Sequence, residues 1–444
     1  MIAFFMIFFH HIIFPTHLYW QTYVCYLLYM YMKERNIISI DLKSFFASCE
    51  CVERGLDPYK TPLVVADTDR GDKAMSLAVS PYLRNRGVKS RCRVFEIPKN
   101  LNIMFVKPRI KLYQEYSKKV FDIYKSFISE EDIHFYSIDE VFMDVTDYLK
   151  YYNKTDTELA LLIMKTVLEK TGLTTTAGIG PNVLLAKVAM DIEAKHNKNC
   201  LSKWTYKDIE TKLWNVTPLT KIWGIGKNTE RKLNNLGIYK VGDINNYPRS
   251  FYIKRFGNVM GNDIFDKANG IYFPTIKELN SRVHEKSMSM SQILYRDYSI
   301  EEAILIIKEM NDMLNVQLKE KKLTTRLIHL SISYSRDLYK SFNDTTLLNT
   351  EEDNGEKIFE TLKYMYYKNI EDLPIRKVGI AYSKLSDKGA TQLSLFDKNE
   401  VPTDEYNKII DKITSKYGNT SILRASSLLK SSTIKNRERY KNTI

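Results

Sequence analysis

Two acidic segments of the sequence carry the residues best suited to metal-assisted chemistry. The first reads NIISIDLKSFFASCE and contains Asp41, and the second reads HFYSIDEVFMDVT and contains Asp139 and Glu140. Each segment places its carboxylates at the end of an apolar, β-prone run, so a folded sheet can bring them together. Three carboxylates on a sheet suit two Mg²⁺ ions that also bind substrate phosphates. The pattern therefore predicts phosphoryl or nucleotidyl transfer.

Asp139 and Glu140 are adjacent in sequence, which restricts where both can serve one site. Neighbouring residues of a regular strand point to opposite faces, so the pair can share a site only at a turn or a strand end. Asp41 would then complete the metal site from a neighbouring strand. An acidic pair at a hairpin is by itself a weak signal, since such pairs are usually solvated.

The composition is that of a basic, soluble protein. A chain of 444 residues is long enough for roughly two to four domains. The formal net charge of +13 favours a polyanionic partner such as nucleic acid, although a lysine-rich solvated surface would give the same charge. The five cysteines form no CxxC pair and no zinc spacing with histidine. This pattern argues against disulfides and structural zinc, and for reduced thiols in the cytoplasm.

Residues 1–32 differ sharply from the rest of the chain. They contain no Asp, Glu, Lys or Arg and are crowded with Phe, Tyr, Ile and Met. The stretch is long enough for a membrane anchor, but His10, Pro15 and Gln21 interrupt it. A signal peptide would need a basic start, which is missing. A third interpretation, which we favour, is that translation begins at Met32 and that the upstream stretch is a wrongly assigned extension of the reading frame.

Hydrophobic periodicity predicts strands and helices over most of the remaining chain. The elements expected up to Trp204 are a strand at 36–42, a helix through SFFASCECVERG, an apolar run at 62–66, a short helix at SPYLRNRG, a helix at 109–127, an acidic strand pair around Asp139, a helix at 156–170 and a helix through VLLAKVAMDIEAK. Beyond Trp204, WNVTPLTKIWGIGKNTERKLNNLGI predicts two short helices joined by a glycine hairpin. Later strands (SRVHEKSMSMSQIL, RLIHLSISYS and IRKVGIAYSKL) alternate with helices at 299–320 and 352–366.

Four segments occur in an order and at a spacing that resemble a known family. They are NIISIDLKSFFASCE, LAVSPYLRNRGVKSRCRVFE, YSIDEVFMD and GIGPNVLLAKVAMD. Together they resemble a Y-family translesion DNA polymerase of the UmuC-like branch (the ImpB/MucB/SamB family), over about residues 36–396. The resemblance implies an α/β (α+β) architecture with a ferredoxin-like palm, small fingers, a helix-hairpin-helix thumb and an α/β little finger.

The resemblance also implies domain boundaries. The expected parts are a palm at 33–211 with fingers inserted at about 53–107, a thumb at 212–275, a little finger at 280–386 and a flexible tail at 387–444. The apolar extension at 1–32 stands outside this architecture.

Catalytic roles follow from the same resemblance. Asp41 and Asp139 would bind two Mg²⁺ ions, and the backbone carbonyl of Leu42 would help to hold the nucleotide-side ion. Glu140 would be the third carboxylate, close to the primer 3′ end. The two ions would stabilise the attacking 3′ oxygen and the leaving pyrophosphate.

A set of residues would bind the incoming nucleotide. They are Ser44, Phe45, Phe46, Arg84 and Lys187. Phe46 falls at the family's steric-gate position, where an aromatic ring excludes a ribose 2′-hydroxyl, and core packing is expected for one ring of the Phe45–Phe46 pair. Arg84 and Lys187 match the cations that grip the triphosphate. Many relatives carry a tyrosine where this chain has Pro81, and the neighbouring Tyr82 is a candidate substitute.

Two further segments would bind macromolecules. Gly224, Ile225, Gly226 and Lys227 resemble a helix-hairpin-helix loop, where glycines and free N–H groups meet a DNA phosphate; the alternative is an ordinary turn between helices. The pentapeptide Gln392-Leu393-Ser394-Leu395-Phe396 resembles the motif with which bacterial polymerases dock on the sliding clamp. Its alternative is a stray apolar turn.

The predicted function is low-fidelity, template-directed DNA synthesis past lesions in a bacterial cytoplasm. The expected partners are primed DNA, dNTPs, the sliding clamp and, as an open question, a UmuD-like or recombinase accessory protein. One alternative is a catalytically silent or partner-dependent factor that binds DNA and the clamp. A less favoured alternative is a metal-dependent nuclease, because two-metal carboxylate sites also serve hydrolysis.

Overall fold

The computed structural model describes residues 35–98, 100–281, 286–388, 409, 412–413, 416–417, 421–435 and 437. The chain divides into two compact units, Met1–Arg282 and Val283–Ile444. The apolar extension at 1–32 and the predicted clamp motif at 392–396 lie outside the described residues. Among the helices that are described, none combines the length and apolar character needed to cross a membrane.

Strands and helices alternate along both units. Within the described ranges the strands are β1 (Ile37–Leu42), β2 (Leu63–Val65), β3 (Ala78–Val79), β4 (Met104–Val106), β5 (Ile133–Phe135), β6 (Glu140–Asp144), β7 (Thr175–Gly180), β8 (Leu201–Lys203), β9 (Met288–Tyr298), β10 (Leu323–Tyr334), β11 (Ser341–Glu352), β12 (Ile375–Ser383) and β13 (Ser386–Asp387). The α-helices with described bounds are α1 (Phe45–Glu53), α2 (Pro81–Arg84), α3 (Ile110–Phe127), α4 (Tyr148–Tyr152), α5 (Asp156–Thr171), α6 (Val183–Val188), α7 (Asp208–Thr211), α8 (Lys227–Asn234), α9 (Arg249–Phe256), α10 (Asn258–Ala268), α11 (Ile276–Ser281), α12 (Ile300–Glu320) and α13 (Gly355–Asn369).

The first sheet has the strand order β5-β6-β1-β7-β8, and its central strand β1 runs antiparallel to both neighbours. Successive side chains of β1 point to opposite faces. Ile38 and Ile40 pack in the core that α1, α3 and α5 cover, whereas Ile37 packs with α6 on the other face. Asp41 has the parity of Ile37, so its carboxylate lies on the α6 face.

A three-stranded sheet, ordered β3-β2-β4, is inserted between α1 and α3 and has a small core of its own. Val64 and Val79 fill this core together with Leu83 of α2. Ser80 caps α2 by accepting a hydrogen bond from the backbone N–H of Leu83, and Pro81 takes the first helical position, where a missing N–H costs nothing. The insertion corresponds to the predicted fingers.

The segment VLLAKVAMDIEAK is only partly α-helical, although its pattern predicts one helix. A π-turn at Ala189–Glu193 and a 3₁₀ turn at Ala194–His196 follow α6. The sheet approaches this helix very closely, since a Cβ added at Gly178 would stand 2.1 Å from the carbonyl oxygen of Ala186. Glycine in β7 therefore permits the contact, and π-turns of this kind are frequent at functional sites.

Helices α7 to α10 build a third core together with α6. The segment expected to form two short helices contains only one of them, α8. The residues before it form 3₁₀ turns at Leu213–Asn215 and Leu219–Lys221. Pro218 lies between the two turns and supplies no backbone N–H, which prevents a continuous helix there.

The second unit is an antiparallel sheet of order β11-β10-β12-β9 that packs its apolar face against α12 and α13. The three predicted strands and both predicted helices are present, but the second helix is Gly355–Asn369 rather than 352–366. The sequence pattern does not predict the edge strand β11. Its residues are mostly polar and alternate between exposed and half-buried, as suits an edge with one paired side.

Part of the tail predicted to be flexible is packed against the second unit. In the stretch 421–435, the backbone N–H of Thr433 donates a hydrogen bond of 3.2 Å to Glu309 of α12. Glu309 is 2% exposed and also pairs with Arg437 at 3.1 Å. A buried carboxylate requires such partners, and the tail provides them. These contacts hold the described stretch 421–435 against α12, and the flexibility predicted for the tail at 387–444 stays a prediction.

Candidate active site

The pairing of β1 with β6 brings the predicted carboxylates together. Asp41 stands directly opposite Glu140 in the antiparallel ladder, so both side chains lie on the α6 face of the sheet. Asp139 precedes the first residue of β6, and its carbonyl oxygen accepts a hydrogen bond of 2.9 Å from Leu42 N–H. The adjacent acidic pair thus lies at a strand end, as its spacing requires.

The hairpin that carries Asp139 is closed by its own hydrogen bonds. The backbone N–H groups of Tyr136 and Ser137 both donate to the carbonyl oxygen of Glu140 at 3.1 Å. The Ser137 hydroxyl donates to Oδ1 of Asp139 at 2.6 Å. These contacts orient the Asp139 carboxylate without burying it.

Two lysines that follow β7 link the carboxylates in a continuous chain of ion pairs. Lys187 Nζ lies 2.6 Å from Glu140 Oε1 and 3.0 Å from Asp191 Oδ2. Lys195 Nζ lies 2.8 Å from Asp191 Oδ1 and 3.2 Å from Asp41 Oδ2. Lys187 belongs to α6, while Asp191 and Lys195 belong to the turns behind it. The sequence analysis identified Lys187 but missed Asp191 and Lys195, although their spacing of one helical turn is visible in KVAMDIEAK.

Burial and charge shift the proton affinities of this group. Burial raises the pKa of Glu140 to about 7 against the opposing effect of Lys187. Burial also raises the pKa of Asp41; Lys195 opposes this shift, and the negative charge of Asp139 adds to it. For Lys195, burial lowers the pKa, but Asp41 and Asp191 outweigh it and leave the pKa raised. For both carboxylates, burial therefore outweighs the stabilising effect of the two lysines.

The donor set fits a hard divalent cation. Carboxylate oxygens from Asp41, Asp139 and Glu140 are the ligands that Mg²⁺ prefers. In the part of the chain that the structure describes, no three acidic, His or Cys side chains converge closely enough to hold a metal ion as they stand. The two lysine ammonium groups occupy that acidic surface instead. A cation would relieve the repulsion between Asp41 and Asp139 that contributes to the raised pKa of Asp41.

The two phenylalanines at the start of α1 take different positions. Phe45 is 3% exposed and packs in the core, whereas Phe46 is half-buried and stacks on Tyr113. The core role expected for one ring thus falls to Phe45. Ser44, just before α1, has a left-handed backbone (φ 48°), and its hydroxyl is buried without a hydrogen-bond partner among the described residues.

The predicted phosphate ligand of the fingers is exposed. Arg84 lies at the end of α2, and its Nη2 donates to Ser90 Oγ at 3.1 Å. Tyr82, the candidate substitute for a tyrosine at Pro81, has its ring covered by the Arg86 guanidinium at 3.5 Å. The phosphate-binding role of Arg84 stays a prediction, and Tyr82 is engaged in a cation–π contact with Arg86.

The predicted DNA-binding loop precedes α8. Ile225 is 5% exposed and anchors the loop in the third core, which leaves Gly224, Gly226 and Lys227 exposed on either side of it. Gly224 has φ +89°, and a Cβ there would stand 2.3 Å from Lys267 Nζ. The glycine is therefore required at this position, and the loop presents backbone at the helix start.

Comparisons with known proteins agree with this architecture. Family models match the impB/mucB/samB family at residues 40–191, the C-terminal domain of that family at residues 285–395 and the IMS family HHH motif at residues 206–238. The chain is 35% identical to the putative UV-damage repair protein UvrX of Bacillus subtilis, over 90% of this chain and 95% of that protein. It is 30% identical to DNA polymerase IV of Clostridium kluyveri, over 90% of this chain and 99% of that protein.

A solved structure extends the agreement to the fold. A Y-family DNA polymerase chimera of Dbh and Dpo4 matches with a TM-score of 0.64 and 22% identity, covering 79% of this chain and 99% of that one. The fold, together with these relatives, defines a DNA-directed DNA polymerase with palm, fingers, thumb and little finger. The chain belongs to the impB/mucB/samB family of Y-family DNA polymerases.

Proposed function

We propose that the protein copies damaged templates with low fidelity by two-metal nucleotidyl transfer to a primer 3′-hydroxyl. The observation that carries this proposal is the pairing of Asp41 with Glu140 across β1 and β6, with Asp139 at the adjoining strand end. The B. subtilis relative is named a UV-damage repair protein, which supports a role in repair for this chain. DNA as substrate and scattered cysteines without disulfide spacing favour the cytoplasm.

Asp41, Asp139, Glu140 and the carbonyl oxygen of Leu42 would hold two Mg²⁺ ions. Bound Mg²⁺ supplies Lewis acidity that activates the 3′-hydroxyl and stabilises the leaving pyrophosphate. The hairpin hydrogen bond from Ser137 holds the Asp139 carboxylate in place. Burial raises the pKa of Glu140 to about 7 even with Lys187 beside it, and the Lys187 ammonium favours the ionised carboxylate against that burial.

Lys195 is the better-placed lysine for the triphosphate. Its side chain is 30% exposed beside Asp41, whereas Lys187 is 8% exposed and fully engaged by Glu140 and Asp191. An ammonium at the rim can turn to a substrate phosphate, while an ammonium in a buried ion pair would leave two carboxylates uncompensated. We therefore assign phosphate binding to Arg84 and Lys195, and assign Lys187 the support of Glu140.

Duplex DNA would meet the thumb at the loop from Gly224 to Lys227. Exposed backbone at the start of α8 and the lysine charge suit a phosphate. Such a contact fixes the position of the primer–template without reading its sequence.

The pentapeptide Gln392–Phe396 would dock on the sliding clamp. Its Leu395 and Phe396 side chains suit an apolar groove on the partner. With purified full-length protein, we expect the ratio of primer extension with clamp to extension without clamp to fall to one in a Leu395→Ala/Phe396→Ala variant. An unchanged ratio would remove the docking role from this segment.

Primer extension by the full-length protein tests the polymerase itself. The assay uses undamaged and abasic templates, with Mg²⁺ or with EDTA. The proposal predicts Mg²⁺-dependent extension on both templates, including insertion opposite the abasic site. Shortening of the primer without dNTPs would instead identify a nuclease, and tight DNA binding without extension would identify a silent or partner-dependent factor. If DNA binds without extension, the assay is repeated with a UmuD-like protein or a recombinase added. Extension would then identify a partner-dependent polymerase, and its continued absence would identify a catalytically silent factor.

A further inference from the structure

We propose that Tyr113, held by the buried carboxylate of Glu50 and its partner Arg109, positions Phe46 and thereby sets how strictly the polymerase selects deoxyribonucleotides. The inference rests on the proposed polymerase function and on the steric-gate role that the family resemblance implies for Phe46. Phe46 and Glu50 are one helical turn apart on α1, and Arg109 and Tyr113 are one turn apart at the start of α3. Each pair therefore shares one face of its helix, and the two faces meet.

The ring of Tyr113 supports the ring of Phe46 from behind. Their centroids are 4.6 Å apart and their planes differ by 20°, which is a stacked arrangement. Phe45 closes the side of the cluster with its centroid 5.6 Å from that of Phe46. Tyr113 is fully buried while Phe46 is half-buried. The exposed face of the Phe46 ring can contact the sugar of a nucleotide. Its other face packs on the ring of Tyr113, which is fully buried and has no space to move away.

Hydrogen bonds fix the phenol of Tyr113. Its hydroxyl donates to Glu50 Oε1 at 2.7 Å. Arg109 binds the same carboxylate with two donors, Nε to Oε1 at 3.0 Å and Nη2 to Oε2 at 2.6 Å. Arg54, the residue that follows α1, also pairs with it. A bidentate guanidinium–carboxylate pair holds direction as well as distance.

The charge state of Glu50 fixes the direction of its hydrogen bond with Tyr113. Burial alone would raise its pKa, but hydrogen bonds from Arg109, Tyr113 and Arg54 outweigh burial and hold the pKa below its usual value. An ionised carboxylate only accepts hydrogen bonds, so the Tyr113 hydroxyl must donate to it. The phenol ring consequently has one orientation, and the stack transmits that orientation to Phe46.

The selectivity of nucleotide insertion tests this chain of contacts. The measured quantity is kcat/KM for a dNTP divided by kcat/KM for the matching rNTP, in the full-length protein on primed DNA. Tyr113→Leu removes both the stack and the hydrogen bond, and we expect the ratio to fall roughly three- to tenfold, as loss of one aromatic pair would give. Tyr113→Phe keeps the stack and should recover most of the lost selectivity.

A neighbouring tyrosine provides the matched control. Tyr116 joins the same two helices through a 2.9 Å hydrogen bond to Glu53, but it makes no ring contact with Phe46 in the described structure. Tyr116→Leu should loosen the α1–α3 interface without lowering the ratio. An equal fall in Tyr116→Leu and Tyr113→Leu would show a general packing effect and overturn the inference.

The reference variant Phe46→Ala separates the inference from the proposed function. If Phe46→Ala lowers the ratio and Tyr113→Leu does not, the positioning role is wrong while the steric gate stands. If Phe46→Ala changes nothing, the steric gate itself is wrong and the inference falls with it. The double variant Phe46→Ala/Tyr113→Leu should be no less selective than Phe46→Ala alone, because Tyr113 acts only through the Phe46 ring.

The variant Arg109→Ala tests the same contacts without disturbing the core, because the Arg109 side chain is 44% exposed. It should lower the ratio of dNTP to rNTP insertion, and an unchanged ratio would also contradict the inference.

Discussion

The ammonium of Lys187 lies 2.6 Å from Oε1 of Glu140, and each of the two side chains is only 8% exposed. A buried ion pair at this strand end is costly to break, since removing one partner leaves a buried charge. Asp191 shares the same ammonium at 3.0 Å. The lysine therefore governs the charge of the carboxylate group as well as its packing.

Replacement of this lysine should destabilise the protein. For Lys187→Met we expect the free energy of unfolding in EDTA to fall by about 3–5 kcal/mol, because Glu140 is left buried and unpaired. Urea denaturation measures the loss. Lys195→Met is the matched control, since that side chain is 30% exposed, and its loss should be clearly smaller. Equal losses would mean that burial of Lys187 has no special energetic role.

The Phe46 ring should decide sugar selectivity. Phe46→Ala opens space beside the sugar, and we expect ribonucleotide insertion relative to deoxyribonucleotide insertion to rise roughly tenfold or more. Steady-state insertion of paired dNTP and rNTP substrates measures the change. Tyr116→Leu alters the same α1–α3 interface through its hydrogen bond to Glu53 instead and should leave the ratio near its original value. Unaltered selectivity in Phe46→Ala would exclude a steric gate at this position.

The two glycines of the thumb loop should respond differently to alanine. Gly224→Ala forces a side chain into a left-handed backbone and toward Lys267, as φ +89° and a 2.3 Å approach show, and should cost about 1–3 kcal/mol of stability. Gly226 has φ −86° and open space around an added Cβ, so Gly226→Ala should leave the unfolding midpoint almost unchanged. A thermal scan of both variants is sufficient, and similar midpoints would contradict the loop geometry.

The buried Glu50 should contribute a pH-dependent part of the stability. Its folded-state pKa lies below the usual value near 4.5, so its stabilising effect is complete above about pH 4.5 and is lost as the pH falls through the lower folded value. Glu50→Gln should cost about 1.5–3 kcal/mol at pH 7, the worth of hydrogen bonds to a charged group. The difference in free energy of unfolding between the unaltered protein and Glu50→Gln, measured by urea denaturation, should become smaller in acid. A difference that stays constant from pH 7 to pH 3 would mean that the folded protein does not favour the ionised form of Glu50.

The carboxylate site was predictable because the patterns that place its residues lie within short stretches of sequence. Side chains alternate along a strand, so Asp139 and Glu140 could share a site only at a strand end, and Asp139 does precede β6. The apolar run before Asp41 predicts the buried strand that carries it. Which strand would pair with it came from the resemblance and not from periodicity.

Other features depend on contacts between segments far apart in sequence. The link between Lys195 and Asp41 arises because glycines in β7 let α6 approach the sheet and a π-turn follows. Periodicity indicates a plain helix there and says nothing about which face meets the sheet. The edge strand β11 has too few apolar residues to stand out. The packed tail depends on Glu309, a residue that looks like any other surface carboxylate in a helix pattern.

The most direct test of the central claim is single-turnover dNTP insertion by Asp139→Ala, with DNA affinity measured in parallel. The exposed Asp147 provides the control substitution, Asp147→Ala, outside the site. We expect Asp139→Ala to abolish insertion while the Kd for primed DNA is unchanged, and Asp147→Ala to insert normally. Insertion by Asp139→Ala at a rate close to that of the unaltered protein would contradict the assignment of Asp41, Asp139 and Glu140 as the catalytic carboxylates.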